Sequence, residues 1–333
     1  MEKLTYLIIT AVILFTACGE NEPTNHNNEF PVVKAESTYT VMVDEDVTYA
    51  SGLSLDANTS IEMPQLLDIY YPDNSSTNRP VFMFIHGGGF QGGTKTKPEI
   101  INMANYFASR GWVFASVDYR TTSDLEGSDF TGIAPTEWIE FTLQNAETPD
   151  QARTSIAMYA AQRDVKGALR WMVANSSAYQ MNTEFITVGG ASAGAISTIT
   201  LGISDQEDFR DEIPVTDDPT LTTTNLDQNY EIRSMVDFWG SNVQLDLLAS
   251  VYNVNRYDSN DPELFIAHGT LDPTVLFTEG EELDSIYNSL GIYHEFVPLV
   301  DRGHGAWNAT VDGKDLSELT FDFLVERQNH TVE

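Results

Sequence analysis

The sequence predicts an α/β domain: a mostly parallel central sheet of about eight strands with helices on both faces. Three observations carry this. Apolar runs of four to seven residues recur along the chain, too unbroken for strands with one wet face. Segments with helical spacing of apolar residues separate them. The alternation persists to the C-terminal end, as a parallel sheet with crossover helices requires.

Taken in order, Tyr39–Tyr49 and Gln65–Tyr71 read as antiparallel strands leading in. The buried strands are expected at Val81–Ile85, Trp112–Val117, Phe185–Val188, Met235–Trp239, Leu264–Ala267 and Phe296–Val300. Ile100, Ala104, Phe107 and Ala108 share a helix face before Gly111, and Val165, Leu169, Met172 and Val173 share another. Leu283, Ile286, Tyr287 and Leu290 follow a Thr278-x-x-Glu281 capping box and stop at Gly291; Leu316, Leu319, Phe323 and Leu324 follow Asp315. The segment Ser241 to Asp261 is short for a cap domain, so little or no cap is expected. An insertion between Arg120 and the helix of Val165 carries Phe130, Trp138, Ile139 and Phe141, which either wall a pocket or pack the loop onto the sheet.

With 333 residues and 41% apolar content the chain can fill a large core. Its formal charge of −33 repels nucleic acid and anionic surfaces. Lys3, the apolar stretch Leu7 to Phe15 and Phe15-Thr16-Ala17-Cys18 form a secretory signal over residues 1–17. The last four residues resemble a bacterial lipobox, which implies cleavage before Cys18, lipidation of its thiol and a membrane-anchored, extracytoplasmic lipoprotein of the outer membrane or cell surface. Cys18 is the only cysteine, so disulfides and cysteine metal sites are excluded. Residues 18–37 are expected to be a solvated tether, and 38–333 a single catalytic domain.

Two glycine motifs carry the chemistry. In His86-Gly87-Gly88-Gly89-Phe90-Gln91-Gly92-Gly93 the glycines spell G-x-G-x-x-G, the fingerprint of a dinucleotide-binding loop, with Asp118 near where a ribose carboxylate would stand. A dinucleotide site needs the helix to begin within the motif. Here Pro98 marks the first helical turn, several residues too late, so an oxyanion-binding loop is the stronger reading. The second motif, Gly190-Ala191-Ser192-Ala193-Gly194, runs from a strand into a small-residue helix start. That is the nucleophile-elbow pattern, in which side chains two residues from the serine would collide with the neighbouring strand or helix.

With these motifs, with Asp118-Tyr119-Arg120 and with two later segments, residues 39–328 resemble the α/β-hydrolases, within them the carboxylesterase and hormone-sensitive-lipase-like enzymes that include bacterial feruloyl and acetyl esterases. The resemblance implies a Ser-His-Asp esterase without a cofactor or metal, acting on small-molecule or polysaccharide-linked esters. It places the oxyanion donors at the backbone N–H of Gly88, Gly89 and Ala193, and a structural ion pair between Arg120 and Asp164. Ser192 is the expected nucleophile. The base is expected at His304, in a glycine-flanked loop after the last strand; His26 lies in the tether, His86, His268 and His294 at strand ends, and His330 at a frayed terminus. Asp272, in the turn after the Leu264 strand, is the expected acid, with Asp246 and Asp301 as alternatives. A hydrolase-like binding protein, a serine peptidase and an acyltransferase remain open on the same fold.

Overall fold

A computed structural model of the chain describes residues 30–56 and 59–333. The expected signal segment over residues 1–17, Cys18 and His26 lie outside the described residues. One sheet organises the domain: β1 (Val41–Asp56), β2 (Thr59–Pro72), β3 (Arg79–Ile85), β4 (Val113–Val117), β5 (Met181–Ala191), β6 (Ser234–Phe238), β7 (Glu263–Gly269) and β8 (His294–Leu299), in the order β1-β2-β4-β3-β5-β6-β7-β8. The β1/β2 and β2/β4 pairs are antiparallel, and every later pair is parallel. All eight expected strands are present, and β3, β4 and β6 are buried along their whole length.

Seven main helices connect or cover these strands: α1 (Pro98–Ala108), α2 (Thr136–Asn145), α3 (Pro149–Ala174), α4 (Ala193–Ile203), α5 (Val243–Tyr252), α6 (Phe277–Leu290) and α7 (Leu316–Arg327). Helix α1 starts with Pro98 in its first turn and buries Ile100, Ala104, Phe107 and Ala108. In α7 the Asp315 side chain accepts from Glu318 N–H while the Glu318 side chain accepts from Asp315 N–H, the reciprocal cap. Apolar side chains pack into one core on each face of the sheet.

Four expectations need correction. The leading hairpin is much longer than residues 39–49 and 65–71, because its polar outer half pairs along the backbone and is tied by Glu126 N–H to Leu55 O at 3.0 Å. Helix α6 opens at Phe277 without a side-chain cap, so Thr278 and Glu281 form no capping box. The chain turns earlier, at Asp272, whose Oδ1 takes the N–H groups of Thr274 and Val275. Of the expected tether, residues 30–37 belong to the domain: Val32 and Val33 pair with Thr331 and Val332, Val33 is buried, and Lys34 bridges Glu333 at 2.8 Å. Residues 18–29 of the tether lie outside the described residues.

The terminus is likewise not frayed at His330, which is buried between the rings of Trp112 and Phe185 with centroids at 5.5 and 5.4 Å. Neither ring nitrogen has a partner among the described residues. Burial first, and Arg233 second, push this imidazole down to about 3 from 6.5. The unfolded chain therefore binds the proton more tightly, and stability falls as pH drops from about 6.5 toward 3, by up to about 1.4 kcal/mol per pH unit. Thermal melts of His330→Leu between pH 7 and 4 should lose less Tm on acidification than the wild type; equal losses would mean that other groups set the acid limit.

Candidate active site

Strand β5 ends in a sharp turn at Ser192, whose backbone has φ 55° and ψ −122°. That is a costly conformation for a residue with a side chain. It is held by Ser192 N–H donating to Phe238 O at 2.9 Å and by Ile196 N–H donating to Ser192 O at 3.0 Å. A Cβ on Gly190 would lie 2.3 Å from the Gly194 carbonyl, and one on Gly194 would lie 2.0 Å from Ile85 O. Both glycines are therefore obligatory, as the pentapeptide implied.

His304 stands on the loop after β8. Its Nε2 is 2.9 Å from Ser192 Oγ and its Nδ1 is 2.7 Å from Asp272 Oδ2. The Asp272 side chain is fully buried and that of His304 is 23% exposed, so the carboxylate is shielded while the imidazole edge meets solvent. The remaining Asp272 oxygen accepts from Thr274 N–H at 2.8 Å and Val275 N–H at 3.1 Å. His268 also faces this carboxylate, at 3.5 Å, but its Nε2 is 2.9 Å from Val275 O and burial pushes its imidazole below the usual range. It is a buttress of the turn. Of the two alternative carboxylates, Asp246 sits on α5, and Asp301 lies in an exposed turn where its N–H donates to Thr270 Oγ1.

The glycine loop lies against this elbow. A Cβ on Gly87 would be 3.1 Å from Ser192 Cβ, and Gly88, at φ +144°, would place one 1.8 Å from Gly92 O. Among the described residues no acceptor takes the N–H of Gly88, Gly89 or Ala193. Ala193 opens helix α4, where first-turn N–H groups have no intrahelical partner. Preorganised donors of this kind can stabilise an oxyanion beside a serine nucleophile.

What holds the loop was not legible in the sequence. Asp118 Oδ1 accepts Lys95 N–H at 2.6 Å and lies 3.3 Å from His86 Nε2, so one carboxylate fastens both ends of the glycine segment. Lys95 Nζ reaches Asp68 at 2.7 Å and Asp46 at 2.8 Å on the leading hairpin. Tyr119 stacks on His86 at 4.4 Å and donates its hydroxyl to His86 O at 2.9 Å. Asp118 thus clamps a loop, where a dinucleotide site would leave it for a ribose. Arg120 and Asp164 form the expected buried pair, with Nη2–Oδ1 at 2.7 Å and Nε–Oδ2 at 2.8 Å. Asp237, in register with Gly190, was also missed: burial pushes its carboxyl up to about 7, and its Oδ1 accepts Gly240 N–H at 2.7 Å, fixing the turn that carries Trp239. The Trp239 ring stands 6.4 Å from the His304 ring.

Two aromatics of the insertion pack the loop onto the domain. Phe130 and Trp138 are buried, with Trp138 packed on Tyr159 and Phe209. Phe141 instead lines a cavity of about 340 Å³ between α2, α3 and α5, together with Ala146, Met158, Val243 and Leu247. A cleft of about 900 Å³ opens at the other end of the strands by Glu184, Arg233 and Glu263; neither it nor the Phe141 cavity is lined by Ser192, Asp272 or His304.

Known proteins share this fold. The fold is similar to that of esterase 2 from the planctomycete Thermogutta terrifontis with propionate bound, at 20% identity over 85% of this chain and 93% of that one, TM-score 0.57. It is also similar to a truncated carbohydrate esterase from gut microbiota, at 19% identity over 90% and 100% of the two chains, TM-score 0.53. A curated relative, the neuroligin-like protein glit-1 of Caenorhabditis elegans, is 29% identical over 162 residues, which are 48% of this chain and only 16% of that protein. The BD-FAE family matches residues 67–158 and 140–245, more than half of the chain, including the glycine loop and the Ser192 elbow. The chain has the α/β-hydrolase fold and belongs to the BD-FAE family of esterase-like α/β-hydrolases.

Proposed function

We propose that the protein is a serine carboxylic ester hydrolase working through an acyl-enzyme. The observation that carries this is the continuous hydrogen-bonded chain Ser192–His304–Asp272 beside three unengaged backbone N–H groups. His304 Nε2 takes the Ser192 proton as Oγ attacks the ester carbonyl, and the N–H groups of Gly88, Gly89 and Ala193 receive the oxyanion. The imidazolium then returns the proton to the departing alcohol. A water activated by the same imidazole releases the acid, and the buried Asp272 carboxylate stabilises each charged imidazole.

The ester is proposed to be an acetyl or feruloyl ester of a polysaccharide, or another short-chain or aromatic ester. The rim beside the acid and base loops is open, with Leu271 63% and Val300 69% exposed, which leaves room for a polymer-linked ester. Relatives solved with propionate bound, or described as carbohydrate esterases, support this class. The lipobox-like Cys18 supports anchoring at an extracytoplasmic membrane surface, close to polymeric substrate. A panel of p-nitrophenyl esters graded by chain length, extended to acetylated and feruloylated xylan, tests the assignment. Turnover is expected on acetyl or aromatic members; hydrolysis of peptide amides but of no ester would replace the esterase with a peptidase.

A further inference from the structure

The first turns of α3 separate two concavities. On one side is the apolar cavity of Phe141; on the other is a cleft of about 380 Å³, within the size range of small-ligand sites. Gln91, Thr122 and Ser123 form one wall of this cleft, and Asp150, Arg153 and Thr154 of α3 form the other, with Glu126 beside them. Every lining side chain is polar, so an acyl chain would gain nothing there. The cleft adjoins the glycine loop directly: Gln91 N–H donates to Gly88 O at 3.0 Å, and Thr122 N–H donates to Phe90 O at 2.8 Å. Gly88, Gly89, Ser192 and His304 do not line the cleft itself; its link to the site is the loop that Gln91 and Thr122 hold.

Arg153 is the informative residue. The sequence has eleven arginines, all among the described residues, and nine have a guanidinium bonded to a carboxylate or carbonyl or seated on a ring. Arg153 has no such partner among the described residues; nor has Arg302, two residues before His304. Yet Asp150 and Glu126 line the same cleft, in a chain of 50 acidic and 17 basic residues, and neither closes on Arg153 as an ion pair. A guanidinium and two carboxylates kept apart present separate donors and acceptors. Neutral hydroxyls, which donate and accept, satisfy that set. A carboxylate-bearing ligand would meet two like charges, and the cleft has no apolar wall for an aromatic group.

The geometry points to this cleft as the subsite for the alcohol portion of the ester, and to a neutral sugar as the group it holds. The inference rests on the esterase reading, which Ser192→Ala tests by itself. In Arg153→Ala and Asp150→Asn, the ratio of kcat/KM on acetylated xylotetraose to that on p-nitrophenyl acetate should fall at least tenfold. Unesterified xylotetraose should inhibit the wild type competitively and inhibit Arg153→Ala at least fivefold less well. An unchanged ratio, equal losses on both substrates, or a wild type that cleaves p-nitrophenyl acetate but no acetylated oligosaccharide would each overturn the subsite. If Ser192→Ala retained activity, the esterase reading itself would fail.

Discussion

Ser192→Ala is expected to lower turnover of p-nitrophenyl acetate by roughly 10⁴ to 10⁶ while leaving the far-ultraviolet circular dichroism spectrum unchanged. Ser192 Oγ is the hydroxyl bonded to His304 Nε2. The backbone at Ser192 is left-handed for alanine as for serine, so the substitution adds little strain, and the Phe238 and Ile196 bonds that hold the turn use main-chain atoms. Residual activity would come from the N–H groups of Gly88, Gly89 and Ala193 acting on a bound ester attacked by water. A fluorophosphonate probe gives an independent readout: it should label the wild type and not the variant. Turnover within tenfold of the wild type would remove Ser192 from the nucleophile role.

Such a site was legible in the sequence where local sterics decide. Pro98 fixed the start of α1, and with it the distance between helix and glycine loop that argued against a dinucleotide. Gly190 and Gly194 announced the elbow because no other side chain fits against Gly194 and Ile85. The strands announced themselves because burial on both faces demands continuous apolar runs.

What stayed hidden depends on partners far along the chain. Tyr159 to Arg170 of α3 are buried without interruption, yet include Gln162, Arg163, Lys166 and Arg170, residue types that mostly stand in solvent. Their partners, Asp218 for Arg163, the carbonyls of Asp205 and Asp208 for Lys166 and that of Thr224 for Arg170, arrive from one long segment between β5 and β6. Lys95 was illegible for the same reason: a lysine in a glycine-rich loop has no periodicity, and its meaning comes from Asp46 and Asp68 on a hairpin whose length was underestimated. The N-terminal boundary was misplaced because two valines cannot announce a strand whose mate lies some 300 residues away.

Asp272→Asn should cost about 10⁴ in kcat, more than removal of one oxyanion donor at about 10² to 10³. The reason lies in the fixed neighbours of this carboxylate. Thr274 N–H and Val275 N–H both need an acceptor, so the asparagine carbonyl must turn to them. Its amide NH₂ then faces His304 Nδ1, which can answer only as an acceptor. The imidazole proton moves to Nε2, the atom that must receive the Ser192 proton, and the base is lost with the geometry almost intact. Asp301→Asn, on the exposed turn beside the histidine loop, changes no group that touches the imidazole and should stay within about twofold. Hydroxide can still deprotonate the serine, so the defect in Asp272→Asn should shrink as pH is raised. A kcat within tenfold of the wild type for Asp272→Asn, or a larger loss for Asp301→Asn, would move the acid to another carboxylate.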